Sequence, residues 1–181
     1  GGGGFFQIVA AGRLTRQKGF DLLIRAAAPI LRRRPDVRLT ILGRGPEESA
    51  LRSLAESLGV WDSVSLPGFV ENPYRFFKAA GLFVLSSRWE GLPNVVLEAL
   101  ACGTAVVAFD CAGGAMRELA RIASEVELVP LGDVDTMGRS IEKKLKGEKA
   151  GLGSSLLPSR FRLDAVLRRF EGAFLDISNP A

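Results

Sequence analysis

Six short apolar runs alternate along the chain with longer segments of helical periodicity, and this alternation limits the fold more than any other feature. The runs are FFQIVAAG, VRLTILG, DSVSLPGFV, LFVLSS, TAVVAFD and VELVPLG. Between the first five lie GFDLLIRAAAPILRRR, PEESALRSLAESLG, NPYRFFKAA and PNVVLEALAC, which read as helices, and DVDTMGRSIEKKLKG follows the sixth. The punctuation agrees: Pro46 in a first turn, Gly59 at a helix end, and Gly103 stopping PNVVLEALAC. No helix is assigned between the fifth and sixth runs. Strands alternating with helices imply a parallel sheet covered on both faces. Right-handed crossovers then make the chain an α/β, Rossmann-like, doubly wound sheet of about six strands. A looser stretch, EKAGLGSSLLPS, leads to a closing helical segment, RFRLDAVLRRFEGAFLD.

A length of 181 residues suits one domain, or a domain with a tail. No apolar run is long enough to cross a membrane, and GGGGFFQIVAAG lacks the basic start of a signal peptide. The four leading glycines read as a cloning scar or as the end of a linker. The net charge of +4 suits an anionic ligand, an anionic membrane surface or nucleic acid. The strongest basic run, LRRRPDVR, reads as a solvated helix end, and no nucleic-acid motif or interleaved aromatics accompany it, so no nucleic-acid partner is expected. Cys102 and Cys111 form neither a disulfide framework nor a metal site and fit a reducing cytoplasm. With no histidine, the chain holds no Ser–His or Cys–His nucleophile and no histidine-based metal site.

In doubly wound sheets, ligands bind where strands end. After the first strand, AAGRLTRQKGF places Arg13 and Lys18 beside a turn that opens onto a helix. Two cations at a helix N-terminus suit a diphosphate, although surface charge on a polar loop explains them equally. After the second strand, Gly43 and Gly45 give G-x-G without a third glycine, a weak nucleotide signature that reads first as a tight turn. The most informative stretch is SSRWEGLPNVVLEALACGTAVVAFD. Pro93 suits the first turn of a helix that is apolar except at Asn94 and Glu98, which share a face. A helix apolar nearly all round belongs inside the domain, so its polar edge must meet a cleft or a ligand. Glu90 precedes it, and two carboxylates framing a helix N-terminus suit a phosphate flanked by vicinal diols, as in a sugar nucleotide. The bland alternative is a loop residue and a solvated helix residue.

GRLTRQKGFDLLIRA, LTILGRGPEESALRSLA, SLPGFV, LFVLSSRWEGLPNVVLEALACGTAVVAFDC and PLGDVDTM resemble, in order, the C-terminal half of the GT-B glycosyltransferases of family four. The E-x7-E motif, Glu90 to Glu98, carries the resemblance most specifically. It implies a hexosyltransferase-type enzyme that binds a nucleotide-sugar donor, such as a UDP-, GDP- or ADP-sugar, and transfers the sugar with retention and without a metal or cofactor. Arg13 and Lys18 would then hold the diphosphate and offset its charge as it leaves. Glu90 would contact hydroxyls of the transferred sugar, and these three are the candidate catalytic residues. Glu98 would accept from the ribose diol, and Gly91, Leu92, Pro93, Asn94 and Val95 would meet phosphates and sugar. Gly12, Gly43, Gly45, Phe69 and Val70 would shape the base and ribose pocket.

Two departures from the family's pattern are DCAGGAMREL after the fifth strand and ASEVELVP before the sixth. The resemblance further implies residues 1–4 as a linker remnant, 5–181 as a single donor-binding domain with 159–181 as its closing helical segment, and an N-terminal acceptor domain absent from this chain. On its own such a half should bind donor weakly and transfer little or nothing. The expected location is cytoplasmic, with peripheral contact at the inner membrane face and a lipid-linked or saccharide acceptor as partners. A non-catalytic nucleotide-binding or interaction module is the competing reading.

Overall fold

The computed structural model describes residues 5–91, 93–146, 154–158 and 161. Leu92, the four leading glycines and nearly all of the closing segment at 159–181 lie outside them. Six strands form one parallel sheet: β1 (Phe6–Ala11), β2 (Val37–Leu42), β3 (Val64–Gly68), β4 (Leu82–Leu85), β5 (Val106–Asp110) and β6 (Val126–Pro130). Their order, β3-β2-β1-β4-β5-β6, is the doubly wound arrangement, with its reversal point between β1 and β4.

Alternating side chains give the inner strands two buried faces. Ile8, Ala10, Leu82, Val84, Val107 and Phe109 enter one core, where α1 (Phe20–Arg33), α2 (Glu48–Ser57) and α6 (Val134–Lys146) cover the sheet. Val9, Phe83, Leu85, Val106 and Ala108 enter the other, beneath α3 (Tyr74–Ala79), α4 (Asn94–Ala101) and α5 (Ala115–Ile122). On that side Phe77 and Phe83 meet edge to face, with centroids 5.4 Å apart. Leu156, Leu157 and Phe161 also pack there, and the Leu156 amide donates to the Leu100 carbonyl at 2.8 Å.

Two elements differ from the sequence expectation. The segment given no helix contains α5, an eight-residue helix that begins after Gly113 and Gly114, both at positive φ. It holds to the domain through buried Met116 and Leu119. Pro93 lies one position before α4 with extended ψ of 94°, as its N-cap rather than inside its first turn. The basic run is a helix end as expected, and its arginines are engaged within the fold. Arg32 donates to the Leu58 carbonyl, Arg33 pairs with Glu142, Arg34 pairs with Asp36, and Arg38 donates to the Pro35 carbonyl.

What positions the site is a divergence of strands. β1 stays in register with β2 as far as Ala11 opposite Leu42, but its pairing with β4 covers only Ile8–Leu82 and Val9–Phe83. The carboxyl ends of β1 and β4 therefore part, and the sheet opens at its reversal point.

Candidate functional site

The loops after β1 and β4 are stitched together. Arg16–Lys18 form a single 3-10 turn that ends at Gly19. Ser86 Oγ donates to the Lys18 carbonyl at 2.9 Å, the Arg88 amide donates to the Gln17 carbonyl at 2.8 Å, and Gln17 Nε2 donates to the Trp89 carbonyl at 3.1 Å. The Arg88 guanidinium grips both oxygens of Asp21, each at 2.8 Å, and the Arg16 carbonyl at 2.8 Å. Hydrogen bonds from Arg88 are the chief cause holding the Asp21 carboxyl below its ordinary range. Gly19 has φ of 62°, and a Cβ there would fall 2.0 Å from the Ser86 carbonyl oxygen, so only glycine lets the loops close.

This stitching brings Lys18 Nζ to 2.5 Å from Glu90 Oε1, an oxygen that also accepts from Ser87 Oγ at 2.6 Å. The pair is mostly buried, with side chains 20% and 9% exposed. Behind Glu90, burial pushes the Cys111 thiol above its ordinary value, which disfavours the thiolate.

On the other side of β1, the β2 loop leans on the β1 loop. The Leu14 amide donates to the Arg44 carbonyl and the Glu47 amide to the Leu14 carbonyl. A Cβ on Gly43 would lie 1.9 Å from the Gly12 carbonyl oxygen, at φ of 139°. Gly45 packs on the Leu14 backbone. These two glycines permit loop-on-loop packing; the close approach is of backbone to backbone.

Between the loops lies a cleft of about 760 Å³, within the usual range for small-molecule sites. It collects Gly12, Arg13, Lys18, Gly43, Phe69, Val70, Glu90, Pro93, Asn94, Val95 and Glu98, the larger part of the residues singled out from sequence. Gly45 lines a separate depression beside Trp61, and Gly91 is exposed outside the cleft wall. Leu92 lies outside the described residues.

Sequence reasoning missed Ala11, Leu42, Arg44, Pro73 and Phe77, which complete the wall. Four of them read as strand, turn or core. Arg44, a cation in a G-x-G turn, was the one visible signal.

At the back of the cleft α4 starts without a side-chain cap. Its Val96 amide is satisfied by the Pro93 carbonyl at 2.9 Å, whereas the amides of Asn94 and Val95 open the helix with no intrahelical acceptor. The side chains of Arg13, Arg44, Asn94 and Glu98 make no hydrogen bond or ion pair among the described residues, so they are available to a ligand. A helix N-terminus flanked by cations accepts an anion, and a carboxylate one turn along accepts from hydroxyls.

A parallel doubly wound sheet whose reversal point opens into a cationic cleft, backed by an uncapped helix, defines a Rossmann-like domain of the kind found in GT-B glycosyltransferases. Residues 3–152 match the family described as glycosyl transferases group 1, and the chain belongs to that family.

Among its relatives is the N-acetylgalactosamine-N,N'-diacetylbacillosaminyl-diphospho-undecaprenol 4-alpha-N-acetylgalactosaminyltransferase of Campylobacter jejuni, 37% identical over 142 residues that cover 78% of this chain and 38% of the relative. Another is the lipopolysaccharide core biosynthesis glycosyltransferase LpsE of Rhizobium meliloti, 34% identical over 164 residues that cover 88% and 46%. The crystal structure of Anabaena HepE in complex with UDP superposes with a TM-score of 0.80 at 25% identity, covering 97% of this chain and 49% of that one. The chain spans under half the length of each of these three proteins.

Proposed function

We propose that this chain is the donor-binding domain of a family-four, configuration-retaining hexosyltransferase, and that it takes a nucleoside-diphosphate sugar without a metal. The observation that carries the reading is the convergence, in one cleft, of Arg13, Lys18, the open N-terminus of α4 and Glu98. The UDP bound by HepE supports it from outside this chain.

In this reading the diphosphate lies against the Asn94 and Val95 amides, with Arg13 and Lys18 offsetting the charge that grows as the nucleotide leaves. Glu98 accepts from the ribose diol, and Glu90 accepts from hydroxyls of the transferred sugar. The acceptor surface belongs to an N-terminal domain outside this chain, with a lipid-linked or saccharide acceptor. Among the described residues no helix is long and apolar enough to cross a membrane. A cytoplasmic site, touching the inner membrane face only peripherally, fits the reading.

Isothermal titration of the chain with UDP, GDP and ADP in the presence of EDTA tests the proposal. At least one should bind, and Arg13→Ala or Lys18→Ala should weaken it on the order of tenfold. No heat from any of the three, with a folded sample, overturns the reading. Donor binding by the full-length protein with neither transfer nor hydrolysis would favour a non-catalytic binding module instead.

A further inference from the structure

The Glu90 carboxylate is held at one oxygen only. Oε1 accepts from Lys18 Nζ at 2.5 Å and from Ser87 Oγ at 2.6 Å, whereas Oε2 accepts no hydrogen bond among the described residues. Glu90 lines the cleft; Ser87 is 1% exposed and forms no part of its wall. The two donors differ in kind. Lys18 carries a point charge on a flexible four-carbon stem. It lines the cleft with Arg13 beside the open end of α4, where an arriving diphosphate competes for that charge. The Ser87 hydroxyl is uncharged, sits on a short side chain and lies out of a ligand's reach.

That hydroxyl is not what shapes the loop. The Arg88 amide donates to the Gln17 carbonyl, Gln17 Nε2 donates to the Trp89 carbonyl, and Trp89 bridges to Ala112. A Cβ built on Gly113 would lie 2.6 Å from the Glu90 carbonyl oxygen, so the β5 loop already packs on the Glu90 backbone. The backbone from Arg88 to Glu90 is therefore fixed by contacts in which the Ser87 side chain takes no part. What Ser87 Oγ fixes is the Glu90 side chain, whose torsions it restricts.

We propose that Ser87 is a positioning residue for the sugar. It holds Glu90 Oε1 as Lys18 turns to the diphosphate, and so presents Oε2 as the oxygen that accepts from a hydroxyl of the transferred sugar. The inference rests on the donor-site reading above. Without Ser87, drawing Lys18 away leaves a mostly buried carboxylate with no side-chain partner and no fixed orientation. Ser87 itself touches neither nucleotide nor sugar.

The test is isothermal titration of nucleoside diphosphates beside their sugars: UDP with UDP-glucose, GDP with GDP-mannose, ADP with ADP-glucose. The comparison within a pair isolates the sugar's share of binding. Ser87→Ala should weaken the sugar nucleotide by about tenfold while its bare diphosphate stays within about threefold of wild type. Ser87→Thr, which keeps the hydroxyl, should hold both within about threefold. The thermal transition of Ser87→Ala should fall by no more than a few degrees, because the loop is fastened elsewhere. Three results overturn the inference and leave the donor site standing. One is Ser87→Ala weakening both members of a pair by the same factor, or neither, and another is Ser87→Thr losing the sugar nucleotide as Ser87→Ala does. The third is a wild-type chain that binds a diphosphate but none of the sugar nucleotides. If nothing in any pair binds, the donor-site reading and this inference fall together.

Discussion

Arg88 and Asp21 lie outside the cleft, yet they hold together the two loops that carry Lys18 and Glu90, and breaking their pair should be measurable as a coupling energy. The perturbation is a double-mutant cycle of Asp21→Asn, Arg88→Ala and the combination. The two side chains share two hydrogen bonds of 2.8 Å each, both charge-assisted. Charged hydrogen bonds contribute about 1.5–3 kcal/mol when protected from water. Here Arg88 is 24% and Asp21 36% exposed, so solvent screening reduces the interaction toward about 1–1.5 kcal/mol. For a domain of this size that corresponds to a fall of roughly 2–6 °C in the melting temperature.

Urea denaturation of the four proteins at neutral pH gives the coupling directly. The sign of its pH dependence follows from the depressed carboxyl of Asp21. Its contribution is complete above the ordinary value of 3.8 and is lost as pH falls through the lower, folded-state value. The stability gap between wild type and Asp21→Asn should therefore shrink on acidification below that point. A coupling within about 0.3 kcal/mol of zero, or a gap that widens toward acid, refutes the claim that this pair fastens the loops.

Gly43→Ala should be among the most damaging changes of one methyl group. Its Cβ would sit 1.9 Å from the Gly12 carbonyl oxygen at φ of 139°, so backbone must move, and a loss of about 3 kcal/mol or more is expected by thermal unfolding. Glu98→Ala should do the reverse. The carboxylate makes no hydrogen bond or ion pair among the described residues, so stability should stay within about 0.5 kcal/mol while nucleoside-diphosphate affinity falls on the order of tenfold in titration.

The strands were legible because each is a short stretch dominated by apolar residues and bounded by turn signals, and the long helices because their periodicity persists over several turns. Helix α5 was not. It buries just Met116 and Leu119 in the core, with Ala120 packed partly against it, and its two leading glycines, Gly113 and Gly114, read as loop. In the site, Glu90 and Glu98 stood out because charge in an apolar context demands a reason, and Arg13 and Lys18 because they flank a turn that opens onto a helix after the first strand. Leu42, Pro73 and Phe77 could not stand out, since a cleft wall and a core wall use the same side chains, and Phe77 is fully buried in the core while also lining the cleft. The requirement for glycine at Gly43 was visible, but its cause, the carbonyl of Gly12 on a neighbouring loop, is a tertiary contact that no local pattern encodes.

The pairing of Lys18 with Glu90 bears on how such a cleft waits for its ligand. Both side chains are largely removed from water, and a lone charge in that position would be costly. Pairing satisfies them while the cleft is open. On the reading proposed above, a sugar nucleotide brings an anion to Lys18 and hydroxyl donors to Glu90, so each half of the pair acquires a new partner in the same event. The exchange needs little reorganisation, because the Ser86, Gln17 and Arg88 contacts already fix the loops that carry both residues. Arg13, exposed and unpaired among the described residues, is then the cation that meets the phosphate first, and Lys18 the one whose charge is released to it. Two residues 72 positions apart in sequence are thus coupled through one hydrogen bond and one ligand.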